Sequence, residues 1–540
     1  MEFDLVIANG TIIDGTGRPR FRADLGIRQG RIAAIATGEA LHGGQTLGAA
    51  GLVITPGFID IHSHSDWIIP LADHDAVLAP LLLQGVTTLV GGQCGFSPAP
   101  ATEDSIPLLD GFSEMLRDEA FAYRWRSMAG FLDTLGRDGV MINVACLVGH
   151  GALRYAVMGR RADTSTPPTT AEVDAMGRLT RQAIREGALG LSVGLAYAPG
   201  IFAGNDELLP LLRAAAKDGG MFAAHGRAYT WVSPFYRPMI GGAAHNIRST
   251  RELLGLARQA GVRLQLSHLI FVGRHTWRTH RTVLRDVDRA IAEGLDVAFD
   301  AFPYTAGNST INVVMPAWFL DGFSRNIADP RALRKLKRQM DLLRWMLGLS
   351  YPDITLLWGC APELAELEGL DMASVARRLG LPPFEAYVHV ARVSEGKARV
   401  LLGAYSGDGL RTVLAHPRCA FMTDTILTRR GRHNPASFGT FPRVLGHYSR
   451  GLGLFSLEEA VRRMTSLPAE RIGLQEVGRI AEGAWADLVL LDPATVDGPA
   501  TLDRPDAPPT GIRAVLISGQ VVAQNGQLVG RGRQGRVLRK

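Results

Sequence analysis

The sequence predicts an α/β protein: a (β/α)8 barrel with a small β-sandwich domain formed by both termini and an insertion between barrel strands seven and eight. Three observations support this fold class. Short apolar segments alternate with helical segments through the middle of the chain, β-rich segments occupy both ends, and one long gap separates the last two strand candidates. Such alternation is typical of a parallel sheet covered by helices.

The two ends of the chain carry short apolar runs separated by turn residues. Residues 5–7 precede Asn9-Gly10, and similar runs return at 486–492 and 514–522. This pattern of short apolar runs and turn residues is typical of short antiparallel strands and hairpins. Because chain termini often lie close together in compact proteins, we expect residues 1–55 and 476–540 to form one β-sandwich domain beside a barrel of residues 56–475.

The central part contains eight apolar segments of strand length. Without the gap at residues 305–418, residues 56–425 have the ~250 residues that a (β/α)8 barrel typically needs. The eight predicted strands are 57–62, 86–91, 141–147, 189–193, 221–224, 263–267, 297–301 and 420–423.

The gap at 305–418 is predicted to be an ordered insertion, because it has helical patterns of its own at 331–347 and 374–379. The basic run at 334–338 is expected to be a solvent-exposed helix face.

Composition excludes several classes of protein. Hydrophobic residues make up 46% of the 540-residue chain, and no apolar run approaches the roughly 20 residues of a membrane span. The 58 basic and 52 acidic residues are nearly balanced, so nucleic acid is not an expected partner. Four widely spaced cysteines predict no disulfide framework. The acidic N-terminus, Met1-Glu2-Phe3-Asp4, is unlike a secretory signal, and a cytoplasmic location is the default expectation.

Residues of metal-binding type follow the predicted strands at their carboxyl ends. Barrel enzymes build their sites at that face, where side chains from separate strands converge. His62 and His64 form an i, i+2 pair that can point to one side of a strand. One His-x-His pair is weak evidence, but six residues at corresponding positions predict a site. They are His62 and His64 after strand one, Cys94 after strand two, His225 after strand five, His268 after strand six and Asp424 after strand eight.

Several motifs resemble the amidohydrolase superfamily of metal-dependent hydrolases, and within it the N-acyl-D-amino-acid deacylases (D-aminoacylases). Residues 54–64 resemble the first-strand motif of the superfamily, and the other motifs resemble the deacylases. These include Gly92-Gln93-Cys94-Gly95-Phe96-Ser97, Ser267-His268, Pro303-Tyr304-Thr305-Ala306-Gly307 and Phe438-Gly439-Thr440-Phe441-Pro442-Arg443. Together the motifs extend over nearly the whole chain.

The resemblance implies roles for the six residues. It implies one tightly bound zinc ion held by Cys94, His225 and His268, a donor set that suits zinc and leaves a position for water. It also implies a second, weaker metal position surrounded by His62, His64 and Asp424, with Cys94 as a bridge.

The scarcity of lysine selects a subgroup of that superfamily. Many binuclear relatives bridge their metals with a carboxylated lysine on strand four, and residues 189–195 contain none. The five lysines, none of them suitably placed, are Lys217, Lys335, Lys337, Lys397 and Lys540. The sequence therefore favours the subgroup with a cysteine ligand, although a buried free cysteine is the ordinary alternative for Cys94.

Three further residues receive predicted roles. Asp424 is the expected general acid/base for attack of water on an amide, with a capping role at the strand end as its alternative. Tyr304 is expected to donate a hydrogen bond to the oxyanion or the substrate carboxylate, or to be a core aromatic. Arg227 is expected to bind a substrate carboxylate, or to be an ordinary surface arginine.

The expected activity is hydrolysis of an N-acyl-D-amino acid or a related N-acyl amino acid. Two segments depart from the family pattern: apolar Leu269-Ile270 follows His268, and strand eight ends in Met422-Thr423-Asp424-Thr425. Together with Trp277 and Trp318, these departures indicate a bulkier or more apolar substrate. The alternatives are hydrolysis of another amide, a cyclic amide or a lactone, and a non-catalytic scaffold. The sequence leaves the oligomeric state open.

Overall fold

The structure, a computed structural model, describes residues 2–38, 40–239, 241–530 and 532–540. Its N-terminal part is a group of five strands. They are β1 (Phe3–Ile12), β2 (Phe21–Arg28), β3 (Arg31–Ala36), β4 (Gly43–Gly48) and β5 (Val53–Pro56). The β2–β3 hairpin turns at Gln29-Gly30, where both residues have a positive φ, the backbone that matches the twist of paired strands.

The first seven barrel strands follow, and neighbouring strands pair in parallel. They are β6 (Phe58–Asp60), β7 (Val86–Gly91), β8 (Asn143–Cys146) with β9 (Val148–Gly149) as one interrupted strand, β10 (Gly190–Gly194), β11 (Met221–His225), β12 (Leu264–Leu266) and β13 (Val297–Ala301). All of their residues are buried except His225, which is half-buried. Burial on both faces is the reason why these strands read as continuous apolar runs.

Helices occupy the segments between these strands. They are α1 (His74–Leu83), α2 (Ile106–Ser113), α3 (Met128–Asp138), α4 (His150–Met158), α5 (Thr170–Arg185), α6 (Asn205–Lys217), α7 (His245–Ala260) and α8 (His280–Ala292). Local signals define several of their ends. Thr169 and Glu172 form a capping box at the start of α5, and Gly261 ends α7 in the left-handed conformation.

The insertion forms its own layer of helices and strands. Its elements are β14 (Gly307–Thr310), α9 (Ala317–Leu320), α10 (Phe323–Asn326), α11 (Pro330–Leu347), β15 (Ile354–Trp358), α12 (Met372–Leu379), α13 (Pro383–Val393) and β16 (Arg399–Leu402). β14 and β15 flank β16 in a three-stranded sheet, and the helices bury a separate apolar core over it. The helices predicted at 331–347 and 374–379 correspond to α11 and α12, and the basic residues at 334–338 are exposed.

The barrel is completed after the insertion. Helix α14 (Gly407–Ala415) leads into the eighth strand, β17 (Cys419–Phe421), which pairs in parallel with β13. The ring closes because Ser63 and Thr425 form a parallel bridge next to β6 and β17. The predicted (β/α)8 barrel is therefore confirmed. Helices α15 (Ala436–Arg443), α16 (Leu457–Met464) and α17 (Ser466–Ile472) follow.

Four strands near the C-terminus join those from the N-terminus. They are β18 (Leu488–Leu491), β19 (Ile512–Ile517), β20 (Gln520–Gln524) and β21 (Gln527–Leu528). β18 pairs antiparallel with β5, and the nine strands form one sheet in which eight follow a single hydrogen-bonded path and β4 pairs with β1 beside it. One face of this path encloses an apolar core that includes Ile7, Leu25, Ile54, Leu488 and Leu516.

The chain then returns to the barrel. Val140 and Val144, at the start of the third barrel strand, exchange main-chain hydrogen bonds with Gly535, Arg536 and Leu538. Every helix in the described parts of the chain is too short or too polar to span a membrane.

Candidate metal centre

The barrel brings the six predicted donor residues to its carboxyl-terminal face. His62 and His64 follow β6, and Cys94 lies in the loop after β7. His225 ends β11, His268 comes two residues after β12, and Asp424 comes three residues after β17. Parallel strands present their carboxyl ends at one rim, so residues up to 362 positions apart in sequence become neighbours.

The donor atoms form one compact cluster. Cys94 Sγ lies 3.2 Å from Nε2 of His62 and 3.6 Å from Nε2 of His268. Asp424 Oδ1 lies 3.4 Å from Nε2 of His62 and 3.5 Å from Nε2 of His64. Three triplets each have donor atoms within 4.8 Å of one another: His62, His64 and Cys94; Cys94, His225 and His268; and His62, His268 and Asp424.

The surroundings of three donors favour the deprotonated forms that bind metals: the Cys94 thiolate, the Asp424 carboxylate and the neutral His225 imidazole. Burial opposes the Cys94 thiolate, but the charge of His62 and hydrogen bonds from the imidazoles hold the pKa of the thiol well below its usual value. Burial likewise opposes the Asp424 carboxylate, and its hydrogen bond to His64 with the nearby imidazoles lowers its pKa. Burial and the charge of His268 lower the pKa of His225, which favours a neutral imidazole.

The cluster fits a metal ion. Nδ1 of His225 is buried and makes no hydrogen bond within the described residues, an arrangement that folded proteins rarely leave uncompensated. His64 and His268 direct Nε2 toward the other donors. A thiolate, several imidazoles and a carboxylate are ligands that bind zinc and similar transition metals.

Three donors have an uncommon backbone conformation. Cys94, His268 and Asp424 are non-glycine residues with φ of 55°, 31° and 50°. Side chains are disfavoured in this left-handed region, and such residues cluster at functional sites where the surrounding structure holds them.

Comparison with known proteins identifies the family of this chain. The model of the amidohydrolase family matches residues 45–319 and 361–523. The chain belongs to the amidohydrolase family. It is 34% identical to a D-aminoacylase of Alcaligenes xylosoxydans xylosoxydans, over 99% of this chain and 97% of that protein. It is 35% identical to an N-acyl-D-glutamate deacylase of the same organism, over 100% and 97% of the two chains.

A solved structure of the same kind matches the whole amidohydrolase chain. It is the N-acyl-D-glutamate deacylase of Bordetella bronchiseptica complexed with zinc and a phosphonate inhibitor that mimics the tetrahedral intermediate. The TM-score is 0.81 with 33% sequence identity, and each chain is covered completely. The fold and the hydrolase class expected from the motifs are thereby confirmed.

Other residues around the metal centre were not predicted from the sequence of this amidohydrolase. The carboxylate of Asp300 accepts a hydrogen bond from the His268 main-chain nitrogen at 2.6 Å, and its Oδ1 lies 3.4 Å from His62 Nδ1. Asp300 is the only polar residue of β13, and that isolated charge in a buried strand is the signal that identifies it.

Two tyrosines also lie beside the donors. The ring of Tyr197 is 5.1 Å from that of His225, and the ring of Tyr229 is 5.0 Å from His225 and 5.2 Å from His268. The Tyr229 hydroxyl accepts a hydrogen bond from the Gly226 nitrogen and donates one to the Ser267 carbonyl. Both tyrosines lie in loops, where sequence spacing gives no side-chain direction.

Tyr304 and Arg227 lie in different surroundings. Tyr304 is buried in the apolar cluster inside the barrel, and the Arg443 guanidinium lies 5.0 Å from its ring. Its hydroxyl makes no hydrogen bond within the described residues. Arg227 Nε donates to Glu252 at 3.0 Å, and another of its nitrogens donates to the Ala203 carbonyl. Arg227 is thus paired within the protein, and the substrate-binding roles of Arg227 and Tyr304 stay predictions.

Proposed function

We propose that this chain is a zinc-dependent amidohydrolase that cleaves the amide bond of an N-acyl-D-amino acid, with Asp424 as general acid/base. The observation that carries the proposal is the convergence of six donors at the barrel rim, in a chain that aligns over its full length with D-amino-acid deacylases. A scaffold without activity has no need for such a donor set.

Zinc would be held by Cys94, His225 and His268, one of two triplets that combine a thiolate with two imidazoles and the one that the family resemblance implies. His62, His64 and Asp424 would surround a second position, and Cys94 belongs both to a triplet with His62 and His64 and to the triplet with His225 and His268. Bound zinc supplies Lewis acidity, which polarises an amide carbonyl and makes water a nucleophile near neutral pH.

Asp424 moves the proton in this mechanism. Its lowered pKa keeps the carboxylate ionised at neutral pH, so it can accept a proton from the water that attacks the amide carbon. It then delivers that proton to the nitrogen of the departing amine, because an amine leaves readily only when protonated. His62 and His64, within 3.5 Å of Oδ1, hold the carboxylate in place.

The substrate side chain is proposed to be apolar. Ile270, two residues after His268, packs against both the insertion core and the apolar cluster inside the barrel. An aliphatic side chain at this position favours an apolar substrate group over a carboxylate, because an unpaired charge against this surface loses its hydration without compensation.

Amine release from matched D and L substrates tests the proposal. The zinc-loaded chain is incubated with the N-acetyl derivatives of D- and L-leucine, phenylalanine and glutamate. We expect turnover of the D series, with leucine and phenylalanine preferred to glutamate. Equal turnover of the L series would overturn the stereochemical assignment. Turnover of a cyclic amide or lactone panel without any amine release would favour those reactions instead.

A further inference from the structure

Cys94 is held in its left-handed conformation by residues at the end of strand β10. The Tyr197 hydroxyl, three residues after β10, donates a hydrogen bond to the Cys94 carbonyl at 2.7 Å. This bond fixes the peptide that follows the cysteine, and so it opposes relaxation of Cys94 to the more favourable extended backbone.

Ser192, within β10, holds the same loop from the other side. Its hydroxyl accepts a hydrogen bond from the Gly95 nitrogen at 3.0 Å and donates one to the Gly92 carbonyl. Ser192 is completely buried. One hydroxyl therefore ties together the residues two before and one after Cys94.

Gly194 gives the loop room to approach. A Cβ at this position would collide with the Cys94 carbonyl and with the Tyr197 hydroxyl. The strand end, the tyrosine and the cysteine loop are thus packed against one another without space for a side chain. This contact explains why glycine occupies the last position of β10.

We propose that Tyr197 is a positioning residue of the metal centre: its hydroxyl holds Cys94 in the left-handed conformation that directs the thiol toward His62 and His268. The proposal rests on the proposed function only in taking Cys94 as a metal ligand. Outer contacts that fix the orientation of a ligand contribute to metal affinity, and their loss typically weakens it about 10–100-fold.

The other two left-handed donors have equivalent supports. Asp300 accepts a hydrogen bond from the His268 nitrogen at 2.6 Å. Asn308, in β14, donates one to the Asp424 carbonyl at 3.1 Å. Each of the three donors with a positive φ thus has a main-chain group that is hydrogen-bonded to a side chain from another part of the chain. The same kind of support occurs three times in one site.

Zinc affinity of Tyr197→Phe tests the role of the hydroxyl. Competition with a chromophoric chelator measures the affinity without any substrate, so failure of the proposed activity leaves this result interpretable. We expect a loss of about 10–100-fold. Tyr387→Phe is the matched control, because its buried hydroxyl also donates to a main-chain carbonyl, that of Ile311 in the insertion. Unchanged affinity in Tyr197→Phe, or an equal loss in Tyr387→Phe, would overturn the proposal.

Two further measurements separate positioning from a general structural effect. In the cobalt(II)-loaded protein, thiolate-to-cobalt absorption should weaken in Tyr197→Phe. In a Cys94→Ser background, Tyr197→Phe should cause little additional loss of zinc affinity, because its effect passes through the thiol. A full additional loss there would contradict the proposal. If Tyr197→Phe does not fold, Ser192→Ala takes its place, with the same expected results and the same contradicting ones.

Discussion

At the residue scale, Asp424 is the donor to which the proposed mechanism gives two roles, metal binding and proton transfer. Its carboxylate lies within 3.5 Å of two imidazoles, and its lowered pKa keeps it ionised. His225 and Cys94, by contrast, serve only as ligands in the proposed mechanism. Replacement of Asp424 therefore separates proton transfer from metal binding.

Asp424→Asn is expected to lower kcat by about 10²–10⁴-fold, the usual contribution of a general acid/base. The amide keeps the shape of the side chain, so the zinc held by Cys94, His225 and His268 should remain. Steady-state kinetics together with zinc analysis of the variant checks this. Asp288→Asn, on the exposed side of helix α8, is the control and should keep wild-type kcat. An Asp424→Asn enzyme with wild-type kcat would exclude this residue as the base.

At the scale of elements, helices α4 and α6 are joined by a buried ionic cluster. Glu207 Oε1 lies 2.7 Å from His150 Nε2, and its Oε2 lies 3.0 Å from Arg154 Nη1. All three side chains are almost completely buried. Glu207→Gln should lower the free energy of unfolding by about 3–5 kcal/mol, because it leaves Arg154 buried without a counter-charge.

Thermal and denaturant unfolding of Glu207→Gln measure this loss. Asp408→Asn removes an exposed partner of Arg411 and should change stability by less than about 1 kcal/mol. Similar small changes in both variants would show that the α4–α6 cluster contributes little.

The strands and the donors at their ends could be predicted from the sequence, whereas contacts between distant segments could not. The eight strands and the donors His62, His64, Cys94, His225, His268 and Asp424 follow from apolar runs and from the residues that end them, because a barrel places all carboxyl ends at one rim. Tyr304 and Arg227 also follow strands, but side-chain direction beyond a strand end depends on the loop. The hydrogen bond of Tyr197 to a distant segment leaves no local pattern, whereas Asp300 leaves one, a lone charge in the buried strand β13.

At the scale of the whole molecule, the C-terminal segment connects the small sheet to the barrel. Arg536 pairs with the buried Asp487, whose Oδ2 also accepts a hydrogen bond from Asn143 at 2.8 Å. Main-chain hydrogen bonds between residues 535–538 and the third barrel strand add to this contact.

Deletion of residues 533–540 should therefore destabilise the protein while leaving the metal centre intact. Loss of the Arg536 partner from a buried carboxylate is expected to cost about 3 kcal/mol, with a lower melting temperature and unchanged zinc stoichiometry. Deletion of Lys540 alone is the control and should have little effect. A truncated protein as stable as the full chain would contradict the role given to this segment.

The most direct test of the central claim, that one metal centre is built from these strand ends, is elemental analysis of the purified chain and its Cys94→Ser variant. The account predicts about one tightly bound zinc per chain in the wild type and a marked loss of zinc in the variant. A wild-type protein that hydrolyses N-acyl-D-amino acids without metal, or a variant that retains its zinc in full, would contradict it.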